Sequence, residues 1–291
     1  MSKILLSLNL MKLRGNMRNS LYIFGRQVRI HREKKFIISI SIVSVLLSAG
    51  CVLGDTIAVI ATRDMEVEAI CSKASTQSVY RVMATRPVYK CTYGDDVVYV
   101  IKARPGLVNA ALSAQLLIDH FNPDLLISVG LCAAVDDDIP VGTLVLADAF
   151  VRYDVGTYTD AGFIHGTASY RKTHKEPMIK QQNLVAWNAL CGKLQTHAVQ
   201  NVCLASGAGF IRSKYKRMWI REKLEAKVVD MSGAAIETVT SDNMIPSIVF
   251  RQVSDKGDRQ AGRSFGLFAA KDDETLINAV YSTIAWWHGS N

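Results

Sequence analysis

From residue 55 onward, short apolar and β-branched runs recur between stretches of helical spacing, and several of those runs are apolar on both faces. A strand with one wet face alternates apolar and polar residues, whereas runs such as 55–61 (DTIAVIA) and 124–129 (DLLISV) need cover on both sides. Helices must supply that cover, so the pattern predicts an α/β fold in layers. The predicted strands are 55–61, 96–102, 124–129, 143–147, 199–206, 227–231 and 247–253, with helices at 107–121, 183–195, 212–225, 232–242 and 273–288. In the last helix Ile277, Val280, Ile284 and Trp287 form one stripe, and Asp272, Asp273 and Glu274 sit where the N-terminal dipole favours acids. No Pro/Ser-rich linker or repeat interrupts the run, so residues 51–291 read as one domain behind a leader of residues 1–50.

A formal charge of +8 would suggest nucleic acid or an anionic surface, but its distribution argues otherwise. Residues 1–35 hold nine Lys or Arg against the single acid Glu33, and the rest of the chain carries 25 basic and 25 acidic residues. The body is neutral, and a nucleic-acid partner is not expected. Next comes an uncharged run at 36–50 (FIISISIVSVLLSAG) and then Cys51. A basic stretch, a short apolar run and small residues are the layout of an export signal, and the run is short for a membrane span. The sequence 48–51 (SAGC) resembles a bacterial lipoprotein processing site, with Ser48 where Leu is usual. On that reading Cys51 is lipidated and anchors an exported protein in the cell envelope; an uncleaved anchor and ordinary cleavage are the alternatives.

The remaining cysteines, Cys71, Cys91, Cys132, Cys191 and Cys203, show no CxxC and no zinc spacing, and are expected as isolated buried thiols. Residues 262–266 (GRSFG) fit G-x-S-x-G, but a polar loop separates them from the preceding strand, so Ser264 is expected in a turn or cap. Walker, HExxH and G-x-G-x-x-G motifs are absent from the sequence, and no cofactor or metal is expected. Arg212, Lys214, Lys216, Arg217, Arg221 and Lys223 read as a solvated helix face, with contact to an anionic membrane surface as the minor alternative.

Seven further segments recur in order: 60–67 (IATRDMEV), 103–111 (ARPGLVNAA), 123–134 (PDLLISVGLCAA), 141–148 (VGTLVLAD), 206–211 (SGAGFI), 229–235 (VDMSGAA) and 251–256 (RQVSDK). Together they resemble the nucleoside phosphorylase and nucleosidase superfamily, most closely its bacterial methylthioadenosine/S-adenosylhomocysteine nucleosidases. The resemblance implies a three-layer α/β/α sandwich with a mixed, mainly parallel sheet, a purine nucleoside as ligand, and a homodimer. It also implies roles: Asp255 beside Ser254 as the acid that protonates the leaving purine, Glu66 as the base that activates water, Phe210 stacked on the purine, Met231 under the sugar, and backbone near Ile211 reading the base edge.

Two departures from the resembled pattern bear on chemistry. Ser232 stands where the active family has a Glu that grips the ribose hydroxyls, and Leu131 stands where nucleosidases have a polar residue. Ser128 replaces the phosphate-binding Arg of the phosphorylases, so hydrolysis is expected over phosphorolysis. The expectation is an exported purine-nucleoside N-ribosyl hydrolase. The alternative is a nucleoside-binding envelope protein or adhesin that has lost turnover, and Asp230 or Glu237 reaching the ribose edge would favour the enzyme; Glu237, more than a turn beyond Ser232, is not expected to reach it. A ligand-free structural envelope protein is the third reading.

Overall fold

The four strands at the centre of the sheet explain the two-faced apolar runs. In the computed structural model, β3 (Thr56–Ala61) runs parallel to β6 (Asp96–Lys102) and β7 (Leu125–Ser128), and β7 runs parallel to β15 (Ser247–Asp255). All four residues of β7 and every residue of β3 after Thr56 are buried. Alternate residues of β3 serve opposite cores. Ile57 and Val59 pack with Val67 and Ile70 of α1 (Asp64–Ser72) and with Leu276, Val280 and Ile284 of α6 (Thr275–His288). Ala58 and Ile60 pack with Ala110, Ala114 and Leu117 of α2 (Leu107–Phe121) and Ile236 of α4 (Gly233–Asp242). Each fully buried Ile, Leu or Val contributes about 1.5–3 kcal/mol, so helix cover on both faces is what these strands require.

The structure describes residues 20–23, 26–29, 54–83, 85–166, 173–174, 192, 194, 200–271 and 274–288. The chain divides into two compact units, Met1–Val52 and Leu53–Asn291. In the first, β1 (Ser20–Ile23) pairs antiparallel with β2 (Arg26–Arg29). The apolar run at 36–50, Cys51 and Cys191 lie outside the described residues, and of the helix expected at 183–195 only Gly192 and Leu194 are described, both helical. No helix among the described residues is long and apolar enough to cross a membrane.

Around the centre the sheet is mixed, in the order β12 (Thr173–His174), β9 (Leu144–Arg152), β13 (Gln200–Ser206), β14 (Val228–Asp230), β8 (Leu131–Ala134), β15, β7, β3, β6, β5 (Arg86–Tyr93), β4 (Thr76–Met83). On one edge β4 (Thr76–Met83) and β5 (Arg86–Tyr93) fold antiparallel onto β6. Neither was legible in the sequence, because these strands interleave polar residues and offer no continuous apolar run. On the other side lie β8 (Leu131–Ala134), β9 (Leu144–Arg152), β13 (Gln200–Ser206) and β14 (Val228–Asp230), with β12 (Thr173–His174) on the rim of β9. β9 pairs parallel with β13 and also antiparallel with Phe250–Gln252 of β15. Together with the β13–β14, β14–β8 and β8–β15 pairings this closes five strands into a ring. A separate hairpin joins β10 (Gly156–Thr159) to β11 (Gly162–His165).

Three expectations need correction. Ser264 sits inside a helix, α5 (Ala261–Ala269), whose first turn it joins through Ser264 N to Gln260 O at 3.0 Å, so it is neither a turn residue nor a nucleophile elbow. The cysteines are not all isolated, since the Sγ atoms of Cys71 and Cys91 lie 3.0 Å apart, and Cys203 is only half-buried. The basic face of α3 (Lys214–Leu224) is only partly solvated. Arg217 and Arg221 both bond Asp137, and Lys216 Nζ sits 3.8 Å from the Trp219 ring centroid.

Candidate active site

Where the closed ring of strands meets the parallel centre, the segments that follow several strands converge on one cavity of about 310 Å³. Its wall includes Phe210, Ile211, Met231, Ser232, Leu131 and Ser254, six of the residues expected at a site. Glu66 and Asp255 do not line it, although their neighbours Arg63 and Ser254 do.

The floor is built by a strand end running into a helix. β14 delivers Asp230, and α4 starts at Gly233, so the Asp230 carboxylate caps the helix by accepting from Ser232 N at 3.1 Å and Gly233 N at 2.9 Å. The same carboxylate accepts from Ser206 Oγ, from Ser232 Oγ at 2.9 Å and from Arg251 Nε at 2.8 Å. Arg251 is 1% exposed, and its Nη1 donates to Ser128 Oγ at 3.1 Å and Phe250 O at 2.7 Å. Its Nη2 donates to Ser232 Oγ at 2.9 Å. Ser232 therefore offers a hydroxyl backed by a buried ion pair where the resembled enzymes place a carboxylate. Asp230 lines the cavity but is saturated with donors, and Glu237 is buried without lining it.

At the end of β15 the pairing with β8 shifts register between Val253 and Asp255. A bulge of this kind re-aims side chains. Ser254 faces the cavity, and Asp255 is 1% exposed, its Oδ1 accepting from Gly257 N at 2.9 Å. Gly257 reaches that position with φ +65°, a conformation open to glycine at no steric cost. Burial lifts the Asp255 carboxyl above its ordinary value, against the opposing pull of the Gly257 N–H and the Ser254 hydroxyl. Ser254 Oγ lies 3.0 Å from Cys132 O and 2.8 Å from Asp255 Oδ2. The one hydroxyl proton of Ser254 is thus shared between a backbone carbonyl and the Asp255 carboxyl. Burial thus favours the acid form of a carboxyl beside the cavity.

Phe210 is 43% exposed and meets Phe265 of α5 edge to face, with centroids 5.6 Å apart. The loop before it is held by Tyr153, whose hydroxyl accepts from Gly209 N at 3.1 Å and whose ring fills the space a side chain at Gly207 would need. Two aromatic edges thus border the cavity where a flat ring can insert.

Glu66 is the third residue of α1 and bonds back to the helix start, as N-terminal Glu commonly does. Its Oε2 accepts from Thr62 N at 2.8 Å and Arg63 N at 2.9 Å, and its Oε1 from Arg63 Nε at 2.8 Å. Far from a surface acid, it is 1% exposed, and the two residues it bonds, Thr62 and Arg63, both line the cavity. Arg104, exposed, also lines the wall.

Residues 56–285 match the family model described as the Phosphorylase superfamily. This chain belongs to that family. Within the superfamily it is 28% identical over 207 residues to a 5′-methylthioadenosine/S-adenosylhomocysteine nucleosidase of Staphylococcus haemolyticus, covering 67% of this chain and 86% of the relative. Among solved structures it resembles an S-adenosylhomocysteine nucleosidase from Streptococcus pyogenes in complex with 5-methylthiotubericidin, with TM-score 0.70 and 20% identity over 83% of this chain and 100% of that one. It likewise resembles a futalosine hydrolase mutant of Helicobacter pylori, with TM-score 0.68 and 21% identity over 79% of this chain and 99% of that one. At those identities the structural likeness establishes the superfamily fold.

Sequence reasoning gave no role to Arg251, Arg63, Arg104 or Phe265. Arg251 had a usable signal, since a lone cation inside an apolar strand is buried only when paired, and Asp230 at the end of another strand was an available partner.

Proposed function

We propose that this superfamily member is a purine-nucleoside N-ribosyl hydrolase of the methylthioadenosine/S-adenosylhomocysteine nucleosidase type. The observation that carries the reading is the buried Asp255 carboxyl, whose burial favours its protonated form, beside Ser254 at the edge of a cavity bordered by Phe210. Breaking a purine N-glycosidic bond needs a proton for the departing base, stabilisation of a cationic sugar and a water nucleophile. In this reading Asp255 supplies the proton, Phe210 stacks on the base, Ile211 backbone reads its edge, and Met231 and Ser232 take the ribose. Leu131 removes a hydroxyl from the water's side. Glu66 activates water once Arg63 releases it. Arg104 offers a cation to a carboxylate-bearing 5′ substituent such as that of S-adenosylhomocysteine. The test is release of free base from methylthioadenosine, S-adenosylhomocysteine, adenosine and inosine, each with and without phosphate. Base release independent of phosphate is expected; release only with phosphate would make the protein a phosphorylase.

The Arg63–Glu66 bond favours a second reading, a nucleoside-binding protein without turnover. Tight calorimetric binding of these nucleosides without base release would establish it.

The basic leader, the apolar run at 36–50 and Cys51 support export to the cell envelope, with membrane attachment through a lipid on Cys51 or through the signal itself. Fractionation should place the protein in the envelope, and Cys51→Ala should release it or block its processing. Full-length protein recovered from the cytosol would refute export. A homodimer is proposed from the resemblance, and sedimentation measures it.

A further inference from the structure

We propose that Cys71 and Cys91 are joined by a disulfide that clamps the C-terminal end of α1 to β5. Their Sγ atoms are 3.0 Å apart, and a bond at about 2.05 Å needs roughly 1 Å of closure, within reach of small side-chain rotations. The partners come from two elements that already converge. Cys71 lies in the last turn of α1, and Cys91 shares a face of β5 with Tyr93, two residues on. The Tyr93 hydroxyl donates to Ile70 O, as does the Tyr281 hydroxyl at 2.7 Å, and the Gln77 amide donates to Cys71 O. The last carbonyls of the helix are therefore fixed, and the two sulfurs are held in register rather than meeting by chance. Both cysteines are buried, at 5% and 0% exposure, so the bond closes as the chain folds and meets reductant again only as the chain unfolds.

The chemistry needs a disulfide donor, either a small molecule such as oxidised glutathione or the disulfide form of an oxidoreductase in an oxidising compartment. One cysteine thiolate attacks a donor sulfur and expels the first donor thiolate. The second cysteine then attacks the protein sulfur of that mixed disulfide and expels the other donor thiolate. The protein loses two protons and two electrons, and the donor gains both as two thiols. The crosslink fixes the far end of the helix whose start, at Thr62 and Arg63, forms one wall of the cavity.

The experiment uses the full chain purified from cells that express it, without reductant, its free thiols alkylated in denaturant before digestion and mass spectrometry. The expected result is a peptide pair joined through Cys71 and Cys91 that separates on reduction. A companion melting curve should show reductant lowering Tm by about 6–12 °C, the effect of opening a loop of this length in a domain of this size. Cys91→Ala should melt at the same temperature with and without reductant. The mass spectrum needs no variant, so a variant that fails to fold leaves the test intact. Alkylation of both cysteines even after refolding with oxidised glutathione, or linkage of either to another cysteine, overturns the proposal.

Discussion

Replacing Arg251 with Met keeps most of the side chain's length and removes its charge from the floor of the cavity. Asp230 then stays buried without its cation, and Ser128 Oγ, Phe250 O and Ser232 Oγ lose donors that now stand at 3.1, 2.7 and 2.9 Å. Breaking a buried pair by removing one partner costs about 3–5 kcal/mol. In a unit of this size each kcal/mol moves Tm by about 2–4 °C, so Arg251→Met should melt about 6–20 °C lower. Trp219, Trp286 and Trp287 lie in the folded unit and provide the fluorescence readout. The second arm is Arg251→Met with Asp230→Asn, which removes both charges while keeping an amide oxygen to cap α4. That double variant should be more stable than Arg251→Met alone, because the largest part of the single variant's cost is the stranded carboxylate and not the lost contacts. A single variant that melts within about 2 °C of the parent, or a double variant whose loss equals the sum of the two singles, would refute the claim that this pair holds the floor.

Asp255→Asn should lower kcat by about 10²–10⁴-fold with little change in purine affinity, measured by base release and by calorimetry; equal losses in both would make Asp255 a binding residue. Because burial raises this carboxyl in the folded state, its ionisation weighs against folding at neutral pH, and that burden lifts as pH falls toward the ordinary carboxylate range. The parent should thus gain on Asp255→Asn in Tm as the pH drops from 7 to about 4, and a constant difference would show that Asp255 is not the group responsible. Ser232→Glu places a carboxylate within reach of Arg251 and the cavity, and should tighten ribonucleoside binding about tenfold. Weaker binding would show that the Ser232 hydroxyl belongs to a different working pocket.

The fold was legible because its central strands must be covered twice, which writes itself as unbroken apolar runs. α2 and β6 fall where spacing alone puts them, at Leu107–Phe121 and Asp96–Lys102. The β4–β5 edge and α1 stayed hidden, for an edge strand alternates and a nine-residue helix beginning Asp-Met-Glu carries little apolar periodicity. Six wall residues were legible from resemblance to ordered segments, but the surroundings of the acids were not. Those surroundings depend on partners distant in sequence, such as Asp230 with Arg251, which local pattern does not pair.

The three buried acids around the cavity are distinguished by what faces them. Glu66 meets two backbone N–H groups and a guanidinium, and Asp230 meets serine hydroxyls, backbone N–H groups and another guanidinium, so both sit among donors that suit a carboxylate. Asp255 meets one N–H and a hydroxyl whose proton is also wanted by Cys132 O. Two acids set against guanidinium groups and one set against an N–H and a shared hydroxyl differ in environment, as an acid and a base sharing one site do. On the proposed roles, base protonation by Asp255 needs no rearrangement, whereas water activation by Glu66 requires Arg63 to leave it, so the ion pair at 2.8 Å between those two residues is where the hydrolase and binding-protein readings part.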